Sequence, residues 1–208
     1  MPIRLHDFPL SGHSHRARLF LSLLGLPHEI VPVDLKAGAH KQPGFLALNP
    51  FGQVPVLQDG DATVFDSNAI LVYLAKTYDK SGAWYPEEPV KAAAVQQWLS
   101  VAAGLVAFGP ATARLVNVFG AKRDHEGAKA LAHGLFQVLD GHLTGDGFVT
   151  GATPTIADVA MYSYVAAAPE GDVSLEPYPA IRAWLARVEA LPGFVPMPVT
   201  PVGLRAAA

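Results

Sequence analysis

Hydrophobic and polar positions along the chain follow two regimes. Residues 3–7 (IRLHD) alternate apolar with polar, the pattern of a half-buried strand. Ala17, Phe20, Leu21 and Leu24 then recur at helical spacing, and Gly25 ends that helix. Residues 29–35 (EIVPVDL) are β-branched enough for a second strand, which Pro32 confines to an edge or distorts. Residues 54–65 (VPVLQDGDATVF) read as two short strands joined at Asp59-Gly60, a strong hairpin signal. Ile70, Tyr73, Leu74 and Tyr78 give the following helix its apolar face. A βαβ unit, then a hairpin, then a helix predicts a small sheet with helices on its faces.

The later part of the chain keeps only the 3.6-residue period. Val95, Trp98, Leu99 and Ala102 form one stripe, and Leu131, Leu135, Val138, Leu139 and His142 a second. Ile181, Trp184, Leu185, Val188 and Leu191 form a third, opened by Pro179 and closed by Pro192-Gly193. Thr155 followed three residues later by Asp158 is a capping-box pattern at a helix start. We read these stripes as core faces and not as cofactor sites.

Composition sharpens the division. Alanine, the strongest helix former, rises from 8 in residues 1–91 to 25 in residues 92–208. An α/β domain over 1–79 and an all-helical domain over 88–208 are expected, joined by a linker at 80–87 that carries Gly82 and Pro86. Pro89 then falls in the first turn of the next helix. With 50% hydrophobic residues in 208, the chain has material for a core, which excludes intrinsic disorder. Its 15 basic and 18 acidic residues form no like-charge block, so neither a nucleic-acid surface nor a polybasic membrane patch is expected. The N-terminus lacks a secretory pattern, and the longest apolar runs fall short of a membrane span. A cytoplasmic protein without membrane partners is the expectation. Zero cysteines rule out disulfides, thiolate metal sites and a catalytic protein thiol.

Three segments carry candidate chemistry. In SGHSHRAR (11–18), a serine between strand and helix either caps the helix or donates to an anion there. A hydrolase elbow is excluded because Gly12-His13-Ser14-His15-Arg16 lacks the second glycine, and His13 with His15 makes too poor a ligand set to predict a metal. In FGQVPVL (51–57), Pro55 marks an edge or a special turn. A cis bond would turn the Val54 backbone outward to pair an extended ligand; the residue pattern alone favours a plain strand-opening proline. Asp66-Ser67 precedes the helix of Ile70, with Ser67 in the cap position and suited to bind a carboxylate as well.

Together with LKAGAHKQPGFLALNPFGQVPVL (35–57), FDSNAILVYLAKTY (65–78) and PTIADVAMYSYV (154–165), these segments resemble the cytosolic glutathione transferases, in particular the serine-type, theta/delta-like bacterial branch. The resemblance spans the whole chain. It implies a thioredoxin-like N-terminal domain, an all-helical C-terminal domain and a homodimer active in detoxification, with glutathione as co-substrate and no metal. Ser11 matches the family's catalytic serine, and Ser14 a position where some relatives keep cysteine. Val54-Pro55 matches the cis-proline element that pairs with the cysteinyl part of glutathione. Asp66 and Ser67 match the acid–serine pair at its γ-glutamyl end. His40 and Gln53 match contacts to its glycyl end or backbone, with Lys41 the alternative to His40. Phe108 and Arg114 are candidate lining residues of the acceptor pocket, plain core being the alternative for Phe108.

The implied reaction is activation of the glutathione thiol for attack on a small hydrophobic electrophile. A glutathione-dependent isomerase, dehalogenase or peroxidase would use the same thiolate on another acceptor. A non-enzymatic glutathione-binding protein is the reading from a different class.

Overall fold

A computed structural model describes residues 2–143, 145 and 147–206. Strand β1 (Ile3–Asp7) leads through the 8–11 loop into helix α1 (Gly12–Leu23) and the short strand β2 (His28–Pro32). Pro32 ends β2, so the strand is shorter than the β-branched run to residue 35 predicts. A 3-10 turn (Ala39–Lys41) and the single-turn helix α2 (Pro43–Leu46) follow, then the hairpin β3 (Val56–Asp59) and β4 (Ala62–Phe65), then α3 (Ser67–Tyr78). The sheet runs β2-β1-β3-β4, with β1 parallel to β2 and the remaining pairs antiparallel. Pro32 sits on an edge strand, where a missing N–H costs least. This is the thioredoxin-like arrangement expected of the N-terminal domain.

Helix α4 (Pro89–Val101) runs without a break into a π-helical segment (Ala102–Ala111) and α5 (Thr112–Phe119). Pro110 within it has no N–H to give and would crowd a preceding carbonyl in a regular helix; the wider winding accommodates it. This rod of 31 residues is long and apolar enough to cross a membrane by length and composition, contrary to the reading of separate apolar runs. Its π segment packs against α6 (His125–His142) and α7 (Ile156–Ala166). Helix α8 (Pro179–Glu189) and an extended tail ending in a 3-10 turn (Gly203–Arg205) complete the chain.

One apolar core runs through both halves. Phe20 and Leu21 of α1, Leu71 and Leu74 of α3, Val159 and Tyr162 of α7 and Trp184 of α8 belong to a single buried cluster. The segment 80–87 is not a free tether: the Trp84 ring packs edge-on against Phe20 at 5.1 Å, and its carbonyl accepts from Ile156 N–H at 3.0 Å. On α6 the sequence stripe overreaches, since Val138 is 69% exposed and Leu131 lies at the surface, while Leu135 and Leu139 are buried with Ala128, Ala132 and Phe136. The shift reflects helix neighbours that the period alone does not reveal.

Candidate glutathione-binding cleft

The strand–helix junctions of the sheet open onto a cleft of about 690 Å³. Its wall brings together His40, Gln53, Val54, Asp66 and Ser67, five of the residues singled out in the sequence, with His13, Lys41, Asn49, Pro55 and, from α5, Leu115. The Val54–Pro55 peptide is cis, as the family resemblance implies and against the plain strand-opening proline that the residue pattern alone favours. No hydrogen bond to the backbone of Val54 occurs among the described residues, so its N–H and C=O are open to an extended partner. Loop 49–53 leading to it is fastened internally. Buried Asn49 donates to Gln53 O at 2.8 Å and accepts from Phe51 N–H at 3.0 Å, a positioning role that sequence reading missed.

The opposite end is the N-terminus of α3. Its cap is Asp66, not Ser67: Asp66 Oδ1 accepts from Asn68 N–H at 2.9 Å and Ala69 N–H at 3.0 Å. Asp66 reaches this position with φ 71°, a conformation that L residues rarely adopt and that tends to mark functional sites. Ser67, freed from capping, is buried and turned toward α1. Arg16 Nη1 donates to Ser67 Oγ at 3.1 Å and to His13 Nδ1 at 3.0 Å. A guanidinium only donates, so His13 Nδ1 is an acceptor and the ring's proton sits on Nε2. Burial, reinforced by the Arg16 charge, lowers His13 to about 3, which keeps it neutral.

Arg16 is 1% exposed, and its Nε and Nη2 have no hydrogen-bond partner among the described residues. Burial lowers its guanidinium to about 10, still protonated at neutral pH. Below the Ser67 end of the cleft there is therefore a buried cation with unused donors. The sequence held a signal for it, since Arg16 lies four residues before Phe20 on the apolar face of α1.

Ser11 caps α1, its Oγ accepting from Ser14 N–H at 3.2 Å. Accepting uses a lone pair and leaves the hydroxyl hydrogen free to donate, so capping and anion binding are compatible. Ser11 is half-buried and stands two residues before His13 of the cleft wall. Ser14 is buried beneath it and accepts from Phe8 N–H at 3.4 Å. His40 Nδ1 is buried with no partner among the described residues, whereas Lys41 Nζ donates to the Phe51 and Gly52 carbonyls at 3.3 and 3.2 Å. His13 and His15 form no metal cluster: His15 is bound to Ser163 Oγ and Val195 O, and no cation-ligand group occurs among the described residues.

The structure places the two acceptor-pocket candidates differently. Phe108 is 67% exposed on the π segment, which overturns the core alternative. Arg114 does not face the cleft; it is 1% exposed, ion-paired to Glu170 at 2.7 Å and bonded to Leu10 O at 2.8 Å.

The family models described as "Glutathione S-transferase, N-terminal domain" and "Glutathione S-transferase, C-terminal domain" match residues 1–76 and 98–192. The chain is 35% identical to glutathione S-transferase 3 of Zea mays over 96% of this chain and 97% of that protein. It is 31% identical to human glutathione S-transferase theta-2 over 88% and 79%. Among solved structures, a glutathione S-transferase from Pseudomonas fluorescens superposes with TM-score 0.88 at 31% identity, covering 95% of this chain and 99% of that one. A delta-class glutathione transferase of Nilaparvata lugens gives 0.84 at 34% identity, covering 92% and 91%. Two domain matches in the expected order, near-complete coverage and a fold shared to the same extent lead to one conclusion: the chain is a transferase enzyme belonging to the glutathione S-transferase family.

Proposed function

We propose that this enzyme binds glutathione along the cleft, holds its thiol as a thiolate with the Ser11 hydroxyl, and delivers it to a small hydrophobic electrophile. The observation that carries the reading is the pairing of an open Val54 backbone beside cis-Pro55 with an anion-suited end at Ser67. An extended γ-glutamyl tripeptide needs both features. Its cysteinyl amide pairs with Val54, its α-carboxylate meets the Ser67 hydroxyl above Arg16, and its glycyl end lies toward Gln53 and either His40 or Lys41. Among these, the unpartnered Nδ1 favours His40.

A free thiol near pKa 8.5 is only a few per cent thiolate at neutral pH, and lowering it by about 2 units takes roughly 2.7 kcal/mol. A hydroxyl donor and the N-terminus of α1 are together of that order. Leu115 and the exposed Phe108 offer apolar contact for the acceptor on the helical side. The two units divide at 80–87, and the protein works in the cytoplasm in detoxification. A homodimer suits the exposed Phe51 and Phe65, whose rings lie 5.9 Å apart, and the apolar groove of Val64, Val72 and Leu99 between α3 and α4.

The reading is tested by retention on immobilised glutathione, conjugation of a chloronitroarene and the thiolate absorbance of the complex. Ser11→Ala should raise the pKa of bound glutathione and slow conjugation while leaving its affinity nearly unchanged. An unaltered thiol titration in that variant would remove Ser11 from the role.

A further inference from the structure

The loop that presents Ser11 is gripped at three successive carbonyls. Phe8 O accepts from Ser11 N–H at 2.9 Å, Pro9 O from Arg18 Nη2 at 2.9 Å, and Leu10 O from Arg114 Nη1 at 2.8 Å. The peptide unit that joins Leu10 to Ser11 is thus fixed at both polar ends. Arg18 is a local anchor, paired with Asp7 of β1. Arg114 comes from α5, where its guanidinium lies over the Phe119 ring at 5.9 Å, and that ring contacts Phe8 at 6.1 Å.

What aims Arg114 is Glu170, and what aims Glu170 is the C-terminal tail. Arg114 Nε donates to Glu170 Oε2 at 2.7 Å, with both side chains 1% exposed. The same oxygen accepts from the Thr200 hydroxyl. Oε1 accepts from Thr200 N–H at 3.2 Å and lies 3.6 Å from Arg205 Nη1. Arg205 is in turn fixed by Nη2 donating to Ala166 O at 2.8 Å. The packing leaves no slack along this line. A Cβ on Gly203 would stand 2.6 Å from Glu170 O, and one on Gly171 would stand 2.5 Å from Arg114 N. A buried ion pair seldom repays its own desolvation in stability, so a geometric role is the better account of this one.

We infer that the C-terminal tail positions Ser11 through Thr200, Glu170 and Arg114, and that Arg114 is a positioning residue of the transferase reaction. The inference rests on the reading of Ser11 given above. When the relay slackens, the Leu10–Ser11 peptide loses its fixed orientation and the hydroxyl loses its aim at sulfur. The residues that hold the two ends of glutathione, from 40 to 67, are untouched. The signature is a raised pKa of the bound thiol and a lower kcat at neutral pH, with KM for glutathione unchanged.

Thr200→Val keeps the side-chain shape and removes the hydroxyl. It should raise the bound-thiol pKa by about 0.5–1 unit, an about 3- to 10-fold change in the ionisation equilibrium. Thr200→Ser should restore the parent value. Arg114→Met, if it folds by circular dichroism, should give a shift at least as large; should it not fold, the two Thr200 variants decide alone. A lower Tm with an unmoved thiol pKa in Thr200→Val would overturn the inference and leave the tail a purely structural strap. Ser11→Ala is measured alongside. If that variant also leaves the pKa unmoved, the Ser11 reading fails and the inference with it; if it moves the pKa and Thr200→Val does not, only the relay fails.

Discussion

Arg16 is buried on the underside of the cleft with no carboxylate in ion-pair reach among the described residues, and two of its nitrogens are unpartnered. Its charge is only partly offset, by the Tyr164 ring at 5.6 Å, the charge of Asp66 and the Nη1 bonds to Ser67 and His13, so a role beyond the stability of the free protein is expected of it. Two opposite effects are expected of Arg16→Met. The free protein should be as stable as the parent or more so, because an apolar side chain of similar length replaces a desolvated cation. Its affinity for glutathione should fall about 10-fold or more, the range for a lost charge-assisted hydrogen bond. Calorimetric titration with thermal unfolding checks both, and an unchanged affinity would reduce Arg16 to a packing residue. Single residues were the least legible part of the sequence. Asp66 and Ser67 were read at the right place with the capping role on the wrong one of the pair. Arg114, read as lining, is instead locked in a buried ion pair, and Phe108 is exposed and not core, because residue type does not fix which way a helix face turns.

At the scale of elements, the starts of α1 and α7 carry sharp expectations. Gly12 opens α1 directly beneath Tyr164, and a Cβ there would lie 2.6 Å from the ring. Gly12→Ala should destabilise by about 1–3 kcal/mol in urea unfolding, the cost of overpacking. Tyr164→Leu in the same background should recover part of it; no recovery would mean that the ring is not the obstacle. The box at α7 reaches well beyond its own helix. Asp158 accepts from Thr155 N–H, Val149 N–H and Trp184 Nε1, all at 2.9 Å, and is fully buried. Asp158→Ala strands three buried donors and should cost about 3–5 kcal/mol, whereas an N-cap box in isolation is worth about 1 kcal/mol. A loss near the smaller figure would show that the tertiary bonds add little. The box itself was legible, since Thr155 and Asp158 are a local signal. Its bond to Trp184 was not, because nothing local in residues 155–158 specifies a partner 26 positions away.

The whole molecule inherits a pH dependence from two histidines between its halves. Burial lowers His13 to about 3 and His15 to about 4, against an ordinary value of 6.5. Below pH 6.5 the unfolded chain binds protons at both rings while the folded chain does not, so folding stability is complete above that pH and falls as pH falls. Two such rings account for a loss of up to about 4 kcal/mol between pH 6.5 and 5. Urea unfolding at the two pH values measures it, and equal midpoints would contradict the assignment. The sequence by itself determined most of the strands and helices, though not α2, α5 or the π segment between α4 and α5, together with the hairpin at Asp59-Gly60, the capping box and the absence of any protein thiol. These are properties of composition and of neighbours within a few residues. The bare residue pattern did not show the cis bond before Pro55, which the family resemblance implied, and tertiary structure alone decided what Arg16 touches under Ser67 and the grip on the Ser11 loop. His13 meets Ser67 across 54 residues, Leu10 meets Arg114 across 104 and His15 meets Val195 across 180, and contacts at such separations are set by how whole elements pack.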